Sequence, residues 1–337
     1  MSQNVAYANN DPQLATLLSF ILPYINDTHG DGILNCNFVT AVLNAKGAKE
    51  VVDGGLEFWE TVSVNPNSNF KWQGKHDDMS ADYQDPTRQL RFPIKLFTGS
   101  VVVNKLDEMM NKGRALIKQY LTTAREIAKT SIDNQYESAL WNTSPGADEP
   151  ESLPNIINTT NTTGTIGGQD RSTSKAFQNN VYTTAIADIG SEAGLADLYR
   201  LRAKYAVGTK QADAVVMPVA QWANLAAYCN TQRQYKPDQT MVQAGIESID
   251  IGKCTVGYAQ ETADNISSAN GIAAGYMYGI NIAAGGLKIK TLADGNSKWE
   301  QSAERVGRTL NKAFYYYWAG NLVSRCPRSN WVAPSVS

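Results

Sequence analysis

Residues 164–182, GTIGGQDRSTSKAFQNNVY, set Gly164, Gly167 and Gly168 ahead of Asp170 and Arg171 in the middle of the chain. A glycine-rich run in such a place suggests a phosphate cradle, and its spacing answers that suggestion. It has neither the G-x-G-x-x-G spacing of a dinucleotide fold nor the Gly-Lys-Ser/Thr ending of a P-loop. It also follows NTTNTT (158–163), where either loop requires a buried strand.

Upstream, residues 104–140 contain no proline and a single glycine, and their apolar residues, from Leu106 and Met109 to Ile127 and Ile132, recur at helical spacing. The pattern predicts one long amphipathic helix. At 1.5 Å per residue it would run roughly 50 Å, against a mean of about 11 residues for globular helices. Its opposite face carries Lys105, Glu108, Lys112, Lys118, Arg125 and Lys129, suited to solvent or to a neighbouring subunit. Before it, Phe58–Val64 and the alternation of Leu90, Phe92, Ile94 and Leu96 predict two strands. Between them lie 25 mostly polar residues (65–89) with isolated Phe70, Trp72, Met79 and Tyr83. Loops of that length are uncommon in compact domains and usually contact something. A projecting arm fits this one better than a catalytic lid, because it offers few groups suited to chemistry.

Downstream, residues 192–205 read as a helix, Ala212–Met217 as a buried strand, and Pro218 as the start of a further helix over VAQWANLAAYCNTQ. Strands are predicted at Cys254–Ala259, Gly275–Ile282, Leu287–Leu292 and Ala313–Trp318. Strands and helices interleave without the regular rhythm of a parallel α/β enzyme, so the predicted class is α+β. With 42% hydrophobic and 18% charged residues, the 337-residue chain has material for a large core. Its net charge of −2 gives no general attraction to phosphate backbones.

Catalytic raw material is scarce. There is no G-x-S-x-G elbow, the only histidines are His29 and His76, and the pairs Asp77–Asp78 and Glu149/Glu151 sit in polar loops. Cys36, Cys229, Cys254 and Cys326 form no C-x-x-C pair and are read as buried reduced thiols rather than zinc ligands. The fragment DTHGDG (27–32) fails as a calcium loop, with His29 at the third position and Phe38 where a bidentate Glu is required. Five Asn-x-Ser/Thr sequons, at Asn26, Asn142, Asn158, Asn161 and Asn265, are read as chance in an Asn- and Thr-rich chain without an export signal. No run reaches the roughly 20 apolar residues of a membrane span. No catalytic, cofactor or metal site is expected.

Five segments together resemble a tailed-bacteriophage major capsid protein: VVDGGLEFWETV (51–62), NFKWQGKHDDMS (69–80), LRFPIKLFTGSVVVNKLDEMMN (90–111), GTIGGQDRSTSKAFQNNVY and LVSRCPRSNWV (322–332). The glycine pair, the Asp-Arg and a downstream aromatic are the most specific part, with Phe177 where the family favours Trp. The resemblance implies the HK-97-like capsid fold. Its segments would be an N-arm (1–50), an E-loop with flanking strands (51–103), a P-domain (104–207) with spine helix 104–140, an A-domain (208–290), and C-terminal strands (291–337) returning to the P/A sheet. It implies intersubunit contacts at Phe70, Trp72, Arg88 and Arg91 of the E-loop, turns at Gly164, Gly167 and Gly168, and local or intersubunit polar contacts by Asp170 and Arg171. It further raises an isopeptide link between Lys71 or Lys75 and Asn311 or Asn321, which no motif singles out. Arg305, Arg308, Lys312, Arg325 and Arg328 form a local basic run suited to interface salt bridges.

The partners implied are further copies of the chain in pentamers and hexamers, a portal, a separate scaffolding protein and decoration proteins. Packaged double-stranded DNA would be non-specific contents. The place implied is the virion, assembled in the host bacterial cytoplasm. The alternatives are an encapsulin-like nanocompartment shell and, from a different class, a soluble α+β enzyme.

Overall fold

The computed structural model describes residues 37–65, 67–75, 78–79, 81–103, 127–128, 131–186, 188–232, 248–260, 271–293, 298–301 and 312–336. In chain order these form helix α1 (Phe38–Ala45) and strands β1 (Lys49–Val52), β2 (Glu57–Ser63), β3 (Thr87–Pro93) and β4 (Lys95–Val103). Helix α2 (131–141), the one-turn helix α3 (Leu153–Ile156), and short strands β5 (Thr165–Ile166), β6 (Gln169–Asp170) and β7 (Asn180–Val181) follow. Next come helix α4 (Glu192–Lys204), strand β8 (Ala214–Pro218) and helix α5 (Val219–Gln232). The remaining strands are β9 (Ile249–Ile251), β10 (Cys254–Ala259), β11 (Met277–Ile280), β12 (Lys288–Leu292), β13 (Lys298–Gln301), β14 (Lys312–Val323) and β15 (Trp331–Ala333). The class is α+β, as the sequence predicts.

One sheet has six strands in the order β7-β15-β11-β8-β10-β9. Its centre, β8, is a run of five buried residues, the pattern of a strand covered on both faces. Alternate side chains serve two cores: Ala214 and Val216 join the cluster that includes α1, whereas Val215 and Met217 join Leu198 and Leu201 of α4 and Leu225 of α5. Gly257 of β10 is required by this packing, because a Cβ there would fall 2.1 Å from the Phe38 ring. Helix α1 begins on a reciprocal capping box, in which Asn37 Oδ1 accepts from the Thr40 amide and Thr40 Oγ1 from the Asn37 amide.

The other large sheet runs β1-β12-β14-β13, with β4 paired along the opposite edge of β14 from Lys95 to Val103. Helix α2 packs Ile132, Tyr136, Leu140 and Trp141 inward, with Tyr136 edge-on to Trp318 of β14 at 5.5 Å. The two sheets share the chain out of sequence order: β12 lies in the β14 sheet, while the C-terminal β15 lies beside β11.

Several expectations need adjustment. Leu90 to Leu96 is not one strand: β3 ends at Pro93, and β4 starts at Lys95 in a different sheet. Proline has no N–H for a continuing ladder, and the inward alternation stops there, with Leu90 and Phe92 buried but Leu96 exposed. The strand over 313–318 extends to Val323, that over 275–282 shortens to Met277–Ile280, and Pro218 closes β8 instead of opening the helix. Cys229 and Cys254 are buried but Cys326 is only half-buried; Cys36 lies outside the described residues. Of the expected spine helix 104–140, residues 104–126 and 129–130 lie outside the described set, as do His29, His76, Asn311, Arg305 and Arg308, and 127–128 and 131–141 are helical.

Candidate assembly site

Strands β2 and β3 form an antiparallel two-stranded ribbon in the register Glu57↔Pro93 to Ser63↔Thr87. Its two faces differ. Phe58, Val62, Leu90 and Phe92 face the body and are buried in the main core, each contributing about 1.5–3 kcal/mol by area. Outward-facing Trp59 is exposed and stacks under the Arg91 guanidinium, 5.4 Å from its ring centroid.

The described residues of the connecting loop (64–65, 67–75, 78–79 and 81–86) are held in shape by polar groups. Gln84 Oε1 accepts from the Ser68 amide at 2.9 Å, and the Gln84 amide also reaches Ser68 Oγ. Asn69 Nδ2 donates to Asp82 O at 2.8 Å and Gln73 Nε2 to Asp78 O at 3.1 Å. At its base Arg88 pairs with Asp85 at 2.7 Å, and this contact, with the Thr87 amide next, lowers the Asp85 pKa. The loop's large apolar side chains take no part: Phe70 is 85% and Trp72 102% exposed, and Met79 and Tyr83 are nearly as open.

The glycine run anchors the base of this arm. β5 and β6 form a miniature hairpin, Thr165↔Asp170 and Ile166↔Gln169, whose two turn residues Gly167 and Gly168 have φ +53° and +76°. Two successive left-handed residues make the type I′ turn that suits the twist of tight hairpins. Its tip meets the free edge of β3: the Arg91 amide donates to Gly167 O at 2.9 Å, and Gln169 Nε2 to Gln89 O at 3.3 Å. Gly164, also left-handed at +80°, accepts at its carbonyl from the Arg171 amide.

Asp170 and Arg171 do not pair with each other. Asp170 is exposed and accepts from the Ser172 amide at 2.8 Å, which lowers its pKa. Arg171 is 1% exposed, donating to Asn155 O at 2.5 Å, to Ile156 O at 3.1 Å and to Asn179 Oδ1 at 3.1 Å. It thereby satisfies the last carbonyls of α3, which helix geometry leaves without partners. Burial lowers its pKa to about 10, partly opposed by the Glu151 carboxylate. The contacts of Arg171 are thus local.

Three further residues hold the arm, and the sequence reading did not single them out for that role. Glu60 sits on the inner face of β2, its Oε1 2.7 Å from Lys290 Nζ of β12, with both side chains 8% exposed. The strand's own parity pointed to it, as a carboxylate between two inward apolar residues. Asn321 of β14 is fully buried, its Nδ2 donating to Pro93 O at 2.8 Å and its Oδ1 accepting from the Glu151 amide at 2.7 Å. With its amide engaged in the interior, Asn321 is not open to an isopeptide link with Lys71 or Lys75. Among the described residues, no group of three or more His, Cys, Asp or Glu side chains converges as a metal site, and no helix is long and apolar enough to cross a membrane.

No protein-family model matches the sequence, and no curated protein sequence matches it. Solved structures do match, over most of the chain and at low identity. The capsid asymmetric unit of cyanophage A-1(L) superposes with a TM-score of 0.57 and 12% identity, covering 87% of this chain and 93% of that one. Gordonia phage Cozz gives 0.52 and 12%, covering 88% and 86%. A virus-like particle from Pyrococcus furiosus gives 0.51 and 11%, covering 93% and 99%. With these matches, its two sheets and a two-stranded ribbon carrying a long loop, this chain has the HK-97-like capsid fold.

Proposed function

We propose that the chain is the major capsid protein of a tailed double-stranded DNA bacteriophage, assembling into the pentamers and hexamers of an icosahedral head. The observation that carries this reading is the arm. Its shape is maintained by its own polar side chains, while Phe70, Trp72, Met79 and Tyr83 stand in solvent. Such a surface is completed by a neighbouring copy, in a closed symmetry that uses different faces of one chain as donor and acceptor. Arg88 and Arg91, at the arm's base, lie beside that contact. The role is structural rather than catalytic. A portal, a separate scaffolding protein and decoration proteins complete the particle, and the near-neutral charge suits DNA held as contents. Assembly takes place in the bacterial cytoplasm and the product is the virion.

Electron microscopy of the purified protein tests this. Closed shells or capsomers are expected from the full chain, and a soluble but non-assembling protein from deletion of residues 68–84. Normal shells from the deletion, or a monomer at high concentration, overturn the reading. A second reading is an encapsulin-like compartment shell, since the matched virus-like particle comes from a cellular organism, Pyrococcus furiosus, so this fold is found outside phage heads. Particles purified from the native source decide between them, with genome-length DNA inside on the first reading and protein cargo on the second.

A further inference from the structure

A tight turn fixes which residues of a hairpin face each other, whereas a long loop does not. The β2–β3 ribbon is closed by residues 64–86 and tied to β1 by Asp53–Leu56, which includes Gly54 and Gly55, so neither connection dictates its register. β3 is secured by other means, through the Arg91 amide to Gly167 O and Pro93 O to Asn321 Nδ2. β2 lacks such backbone ties to the body among the described contacts.

The inward row on β2 reads Phe58, Glu60, Val62, continuing to the half-buried Val64. Consider a shift of two residues that brings Ser63 opposite Gln89. It keeps every side chain on its face, places Val64 where Val62 sits and Val62 beside Lys290, and carries Phe58 out of its core site into a lengthened link from β1, at a cost of about 1.5–3 kcal/mol that burial of Val64 offsets in part. The larger cost falls on Glu60. Glu60 would enter the Phe58 site, which is 2% exposed, and would leave Lys290 with Glu50, a half-exposed carboxylate 3.5 Å away. Burying an unpaired carboxylate is strongly unfavourable.

We infer that the buried Glu60–Lys290 ion pair sets the register of the arm, holding β2 against a two-residue slip. Such a slip displaces the strand by about 7 Å and shortens the projecting loop. The consequence for docking rests on the assembly reading above, but the register itself is a property of the single chain. Buried ion pairs contribute little net stability compared with well-packed apolar groups, and specifying one arrangement is their best-attested use.

Disulfide trapping in the unassembled chain tests this. Residues directly opposite lie about 4.5–5.5 Å apart at Cα, whereas partners offset by two exceed the roughly 7 Å limit for a disulfide. Thr61→Cys with Gln89→Cys therefore reports the native register, and Ser63→Cys with Gln89→Cys the slipped one, each read by mass spectrometry of the linked peptides. In the otherwise native chain the slipped pair should link in under about 1% of molecules. With Glu60→Leu and Lys290→Met, or with Glu60→Val and Lys290→Leu, it should rise at least tenfold over the native chain, to about a few per cent, within the range of a populated minor state. A slipped pair that stays at background in folded versions of these variants overturns the inference. So does loss of folding in both, since the pair would then act as a stability element. Absence of shells from the native chain counts against the assembly reading alone and leaves the register result standing.

Discussion

Replacing Gly167 by alanine should weaken the attachment of the arm, and the loss can be built up from its surroundings. A Cβ there would lie 2.7 Å from Leu90 Cβ, 3.0 Å from the Arg91 nitrogen and 3.1 Å from Leu90 Cα, so the backbone of β3 must move. The left-handed conformation costs a non-glycine residue about 1 kcal/mol, and overpacking a fixed contact costs about 1–3 kcal/mol. Displacing β3 also weakens the Arg91 to Gly167 hydrogen bond, worth about 1 kcal/mol. Against this, alanine stiffens the unfolded chain by about 0.4–1 kcal/mol, leaving a net loss of about 3 kcal/mol. Gly168 is the internal control: its φ of +76° carries the same backbone cost, but a Cβ there meets nothing within 4 Å. With the same offset for the unfolded chain, Gly168→Ala should lose only about 0.3 kcal/mol. The two variants should therefore differ by about 3 kcal/mol, roughly 150-fold in the folding equilibrium. Urea unfolding followed by circular dichroism measures both, and hydrogen exchange at the Arg91 amide should accelerate selectively in Gly167→Ala. Equal midpoints for the two variants, with Arg91 protection intact, would refute the claim that this turn anchors the arm.

Arg171→Ala leaves two helix-end carbonyls without their donor, at about 1–3 kcal/mol for each, and leaves Asn179 Oδ1 with the Asn158 amide alone. It should lose most soluble expression, whereas Asp170→Ala, which removes one exposed cap, should cost about 1 kcal/mol in thermal unfolding. Glu137 has its pKa raised, first by burial and then by Asp133 one turn away. Its folded pKa exceeds its unfolded one, so the stability linked to its proton is present below pH about 4.5 and is lost as pH rises through the folded value. Glu137→Gln should thus raise stability at pH 7 by about 0.5 kcal/mol and leave it unchanged at pH 4, which a pair of urea titrations checks. Cys254 is fully buried, and burial pushes its thiol up to about 12. At pH 8 it should ignore a thiol reagent that labels the half-buried Cys326, and rapid labelling of both would contradict the packing described.

Legibility in the sequence followed the kind of physical signal each element carries. β8 and α4 stood out because their apolar runs and periods are local properties, and their observed bounds lie within two residues of those expected. Helix α1 did not stand out, although Asn37 caps it and the left-handed Gly47 follows it. Its residues from Phe38 to Leu43 are all buried, and a helix buried all round has no polar face from which to read a period. The arm's excess length and odd aromatics were visible in composition. Its fastenings were not, because Glu60 and Lys290, or Pro93 and Asn321, are some 230 residues apart and are brought together only by the sheet order.

The arm's two classes of contact explain one another. Four large apolar side chains on a long loop would ordinarily fold back onto the nearest apolar surface, removing both the projection and the surface it presents. Here the hydrogen bonds of Ser68, Asn69 and Gln73 with the facing stretch from Asp78 to Gln84 hold the loop open from within. The glycine turn and the Glu60–Lys290 pair hold its base. An arm shaped this way before it meets a partner has less conformational freedom to lose on docking, so each contact can be modest and still favourable. On the proposed reading that modesty is useful: a shell closes correctly when single contacts are weak enough to break and re-form, and it persists because every subunit makes several at once.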